Sequence, residues 1–105
     1  MLKYIARIVA VSSLTVSTTM VLAQSGADTY KSKCQMCHGA DGTGNTPAGK
    51  STKVRPFNSP DVMKLSDDDL IKVTKSGKGK MPAYGGKLTD DQITAVIAHI
   101  HSLQK

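Results

Sequence analysis

Cys34-Gln35-Met36-Cys37-His38 constrains this chain more than any other segment. It holds both cysteines of the 105 residues, with a histidine directly after the second. C-x-x-C-H is the attachment signature of a c-type haem. The spacing has a mechanical reason. Positions i, i+3 and i+4 share one face of a helix. Cys34 and Cys37 can therefore form thioethers to two haem vinyl groups while His38, on the same face, reaches the iron. A redox dithiol would want a strand–helix–strand context, and no such alternation is present. A structural zinc site wants four ligands, yet only His99 and His101 remain, two apart on a helix. A disulfide across two residues would restrain little.

The N-terminus reads as an export signal. Lys3 and Arg7 give a positive start, residues 8–22 an apolar stretch, and Val21-Leu22-Ala23 a small-residue cleavage site. Ser12, Ser13, Thr15, Ser17, Thr18 and Thr19 dilute the stretch, which makes it a poor membrane span, since a span needs about 20 predominantly apolar residues. The division expected is a signal peptide over 1–23 and one domain over 24–105, exported to the periplasm, where c-type haems are joined to protein.

Such a domain holds 82 residues, with Tyr30, Phe57 and Tyr84 as its aromatics. A core this small rarely supplies more than about 3–5 kcal/mol and usually needs a staple. A single covalent haem c would be that staple, and the chain without it is expected to be unfolded or molten. Without Lys3 and Arg7, the 14 basic residues fall to 12 against 8 aspartates, a net charge of +4. Nucleic acid does not fit an exported chain without an arginine-rich or aromatic surface. An acidic protein partner does, and a monomer is expected.

Caps and periodicity predict an all-α fold of three to four short helices. The first runs from about Asp28 through the haem motif to Gly39, a C-terminal cap. Residues 41–50 read as loop. Ser59-Pro60 opens a short turn through Lys64. Ser66 caps the next helix with Asp69 answering and Leu65 stapled to Leu70, ending before Gly77; Thr89, Gln92, Leu88 and Ile93 repeat the device for the last. Ile93, Val96, Ile97, Ile100 and Leu103 then form its apolar stripe.

A six-coordinate iron needs a ligand opposite His38, and Met81 is the choice. It lies in Ser76-Gly77-Lys78-Gly79-Lys80-Met81-Pro82-Ala83-Tyr84-Gly85-Gly86. The glycines allow close approach of the backbone, and Pro82 stiffens the segment. Thioether ligation raises the potential. The competitors are Met36, on the haem helix itself, Met63, beside a short turn, and His99 and His101 in the last helix.

With Cys34 to Gly39, Gly77 to Gly86 and the Leu88-Thr89-Asp90 helix start in place, residues 27–103 resemble a class I cytochrome c of the small soluble bacterial type. The resemblance implies a small cytochrome c fold around one haem buried except at one edge, and an electron carrier rather than an enzyme. It also implies that a proline-region carbonyl accepts the His38 Nδ1 hydrogen, with Pro47 the matching residue. The family packs an aromatic of the terminal helix on the first helix. His99 stands there, with Tyr30 as its neighbour, and a packing role is expected for it.

On this reading single electrons pass between a redox donor and acceptor. Lys72, Lys75, Lys78, Lys80 and Lys87 would steer the protein to acidic patches. The alternative is a haem enzyme or gas binder, of peroxidase or nitric-oxide type, with a labile sixth ligand. No distal histidine or arginine is placed to activate peroxide. A tethered electron-entry subunit of a larger redox complex is a third reading.

Overall fold

Two capping boxes set the largest pieces of the fold. The computed structural model describes residues 25–105, so the signal-peptide assignment of 1–23 lies outside the described residues. Within these are six helices: α1 (Gly26–Lys33), α2 (Gln35–His38), α3 (Pro47–Thr52), α4 (Pro60–Met63), α5 (Asp67–Ser76) and α6 (Asp90–Leu103). The fold is all-α among the described residues, apart from one isolated bridge between Lys78 and Met81. No described helix is long and apolar enough to cross a membrane.

The boxes are as predicted. Ser66 Oγ accepts from the Asp69 amide at 3.1 Å while Asp69 Oδ2 accepts from the Ser66 amide at 3.2 Å. Thr89 and Gln92 make the same exchange at 3.1 and 2.8 Å. The apolar stripe of α6 then buries Ile93, Val96, Ile97 and Ile100. Together with Tyr30, Phe57, Leu70 and Leu88 they form the core.

The first helix differs from expectation. It starts at Gly26, capped by Ser25, and it breaks at Cys34, where φ is −117° and ψ −34°. The short α2 then carries Cys37 and His38 to Gly39, whose φ of 84° ends it. The stretch over 41–50, expected as loop, also contains a helix start. Thr46 Oγ1 accepts from the Gly49 amide at 2.8 Å, and Pro47 takes the first helical position, where its missing N–H costs nothing. Ser59-Pro60 opens α4, but the Ser59 hydroxyl makes no cap bond.

α1 crosses α6 at close range. Gly26 lies against the backbone of Ala95, and the Tyr30 ring packs on His99, centroids 4.9 Å apart. His99 thus fills the expected aromatic position. The crossing presents the end of α1, and therefore the cysteine motif, to the space between α5, α6 and the segment after α5.

Candidate haem site

The helix break at Cys34 is held from several sides. Tyr30 Oη donates to the Gly39 carbonyl at 2.5 Å, bracing both ends of the motif. Thr46 Oγ1 donates to the Cys37 carbonyl at 2.9 Å, and the Gly44 amide donates to the His38 carbonyl at 2.7 Å. Gly49 passes so close beneath that a β-carbon would stand 2.3 Å from the Cys37 carbonyl oxygen. Backbone that carries Cys34, Cys37 and His38 is therefore fixed by groups outside the motif's own helical turn.

On the opposite wall, Gly77 and Gly79 adopt φ of 74° and 58°, a region open to glycine at no steric cost. They fold the segment after α5 into a tight reversal. The Lys78 amide donates to the Met81 carbonyl at 3.2 Å and the Met81 amide returns the bond at 2.9 Å. Met81, half-buried, lines the same cavity as the cysteine motif.

Between these walls lies a cavity of about 650 Å³, lined by Cys34, Cys37, His38 and Met81. That volume falls within the ~300–1,000 Å³ of typical cofactor sites. Its apolar walls include Phe57, Leu65, Leu70, Val96, Ile97 and Ile100. Met36 and Met63 are 81% and 50% exposed and do not line it. His99 packs on Tyr30, and His101 bonds Asp67 at the surface. Among the competing ligands only Met81 shares the cavity with His38.

Burial lowers the His38 pKa from its ordinary value, so the imidazole is neutral, the form that can ligate a metal. Burial, with the neighbouring Cys37, pushes the Cys34 thiol up to about 11. Phe57, not singled out in the sequence, stacks on His38 with centroids 4.6 Å apart and planes inclined by 15°. The buried His38 Nδ1 has no hydrogen-bond partner. Pro47, the expected acceptor for that atom, takes the first position of α3.

The mouth is basic. Lys33, Lys53, Arg55, Lys64, Lys78 and Lys80 line it against one acid, Asp61. Asp61 pairs with Arg55 and, at 3.7 Å, with Lys64. Of the lysines predicted around Met81, Lys78 and Lys80 are at the mouth, while Lys75 pairs with Asp90 at 2.8 Å. Lys72 is not part of the lining, and Lys87 lies over the Tyr84 ring, 5.7 Å from its centroid. Sequence reasoning misses Lys53, Arg55 and Lys64 because they are distant along the chain from both ligand segments. The Thr46-Pro47 helix start carries a readable signal, since it repeats the Ser59-Pro60 pattern.

The family model described as "Cytochrome C oxidase, cbb3-type, subunit III" matches residues 21–100. Cytochrome c6 of Thermosynechococcus vestitus is 33% identical over 88 residues, covering 84% of this chain and 76% of that protein. The chain is a class I cytochrome c. As such it is a mono-haem electron carrier, and its cofactor is one covalently bound haem c with iron. This cytochrome is also 31% identical to the cbb3-type oxidase subunit CcoP of Cereibacter sphaeroides, over 78% of its own length but 28% of that protein. Among solved structures, the KustC0563 c-type cytochrome superposes with a TM-score of 0.71 at 28% identity, covering 77% of this cytochrome and 99% of that chain. The residues fit the cofactor: two thiols, an imidazole and a thioether line one largely apolar cavity.

Proposed function

We propose that this cytochrome shuttles single electrons between redox protein partners in the periplasm, with Cys34 and Cys37 as the thioether residues and His38 and Met81 as axial ligands. The observation that carries the reading is that these four side chains line one cavity. When bound, the haem supplies a one-electron iron couple, with a potential that His/Met ligation raises.

The chain's own residues do the rest. His38 offers a neutral nitrogen, because burial disfavours its charged form. The reciprocal Lys78–Met81 bonds hold the thioether on the far wall. With His38 and Met81 both holding the iron, the haem would offer oxygen and peroxide no open site. Phe57, Leu70 and Ile97 exclude water from the interior. The basic mouth draws in a donor or acceptor with an acidic docking patch, an attraction that weakens as salt rises. Export by a signal peptide cleaved after Ala23 places the domain over residues 24–105, and N-terminal sequencing of the exported protein checks that boundary.

The test is the optical spectrum of the oxidised and reduced protein with carbon monoxide. A ferric sulfur-to-iron charge-transfer band, lost in Met81→Ala, with slow carbon monoxide binding by the ferrous protein, is the expected result. Rapid binding with no such band would overturn the Met81 assignment and favour a haem enzyme or gas binder.

A further inference from the structure

The helix break at Cys34 deprives one carbonyl of its helical donor. In an unbroken helix the Cys37 amide would donate to the Lys33 carbonyl. Here it donates to the Cys34 carbonyl, at 3.3 Å. The Lys33 carbonyl accepts instead from Tyr84 Oη, at 3.0 Å and across 51 positions. Tyr84 is three residues beyond Met81, and its ring lines the same cavity. Its backbone is tied as well. The Tyr84 amide donates to Thr74 at 2.9 Å, and the Tyr84 carbonyl accepts from the Lys87 and Leu88 amides at 3.0 and 2.9 Å.

These bonds divide into two kinds. The backbone bonds attach the Met81 segment to α5 and close a turn within the segment just before α6. The phenol reaches beyond these, to the residue immediately before Cys34. Among the described residues it is the sole hydrogen bond between residues 77–88 and residues 26–39. The segment has little else to hold it there, since Lys80, Pro82 and Ala83 are exposed.

We propose that Tyr84 is a positioning residue: its hydroxyl clasps the Met81 segment to the end of α1 and thereby sets how readily Met81 leaves the iron. The inference rests on the His38/Met81 reading above. The hydroxyl makes no contact with the iron ligand itself. It acts by fixing the separation of the two chain segments that carry the ligands, so that departure of Met81 requires this bond to open.

Tyr84→Phe keeps the ring and removes the hydroxyl. The measurement is the limiting rate at which saturating imidazole replaces Met81 in the ferric holoprotein, followed by loss of the charge-transfer band. We expect that band in both proteins and a rate about three- to tenfold higher in Tyr84→Phe, the effect of one net hydrogen bond. Ile93→Val serves as the comparison, because Ile93 is fully buried and does not line the cavity. It lowers global stability and should leave the rate unchanged. Replacement at the parent rate in Tyr84→Phe, or equal acceleration in both variants, would overturn the clasp while leaving the ligand assignment standing. A parent protein with no charge-transfer band would remove both.

Discussion

Gly26 approaches Ala95 so closely that a β-carbon on it would stand 2.0 Å from the Ala95 carbonyl oxygen and 2.6 Å from its carbon. Neither atom can swing aside, because both belong to the α6 backbone. Gly26→Ala must therefore push α1 and α6 apart, and the Tyr30–His99 contact with them. A loss of about 1–3 kcal/mol is expected, the usual cost of overpacking, read as a lower denaturant midpoint. An unchanged midpoint would mean that the crossing yields at no cost.

Tyr30 braces the cysteine motif through its bond to the Gly39 carbonyl, and its own hydroxyl is pushed well above the ordinary tyrosine pKa, first by burial. Tyr30→Phe removes one of that carbonyl's two donors and leaves it the Gly42 amide, at 3.2 Å. We expect a loss of about 0.5–1.5 kcal/mol, that of one net hydrogen bond, measured by chemical unfolding of the holoprotein. An unchanged stability would show that the hydroxyl does not brace the motif.

Thr89 caps the longest of the described helices, and its capping box is complete. Thr89→Ala should cost about 1 kcal/mol, while Thr89→Asn should restore most of it. Thermal unfolding of the three proteins checks the order.

His101 links α6 to α5. Its Nε2 lies 2.6 Å from Asp67 Oδ1 and its Nδ1 2.7 Å from Gln104 Oε1. The Gln104 contact first, then Asp67, raises its pKa above the usual imidazole value. Because the folded-state value is the higher one, the stabilisation is fully present below about pH 6.5. It is lost as pH rises through the folded value. The groups are solvent-exposed, so the effect is small and screened by salt. The stability difference between the parent and His101→Ala should therefore shrink as pH rises from about 5 to 8. A difference that grows with pH would contradict the assigned sign.

Lys78 and Lys80 stand at the mouth of the cavity. Reversing both, Lys78→Glu with Lys80→Glu, should slow electron transfer with an acidic redox partner about tenfold or more at low salt. The deficit should fade as ionic strength rises. Equal rates at low salt would place the docking surface elsewhere.

Much of this cytochrome is legible in its amino-acid sequence. The haem motif needs only five consecutive residues, and the Ser66 and Thr89 boxes only four each. The α6 stripe follows from a 3.6-residue period. These signals act within one or two helical turns, so neighbours along the chain suffice to specify them. The tight reversal that holds Met81 is legible too, through the glycines that allow it.

Other features depend on residues distant in sequence. The break at Cys34 is stabilised from outside the helix, by Tyr84 on one carbonyl and Thr46 on another. Phe57 reaches His38 only because the chain after α3 folds back. The basic mouth gathers Lys33, Lys53, Arg55, Lys64, Lys78 and Lys80 from separate elements. Helix α3 forms where composition predicts a loop. Local hydrogen bonding and periodicity thus determined the helices, and the motif spacing the candidate ligands, from sequence alone. Tertiary packing decided which carbonyls lost their helical donors, what satisfied them, and which charges met at the mouth, because those choices depend on approach in space rather than on spacing along the chain.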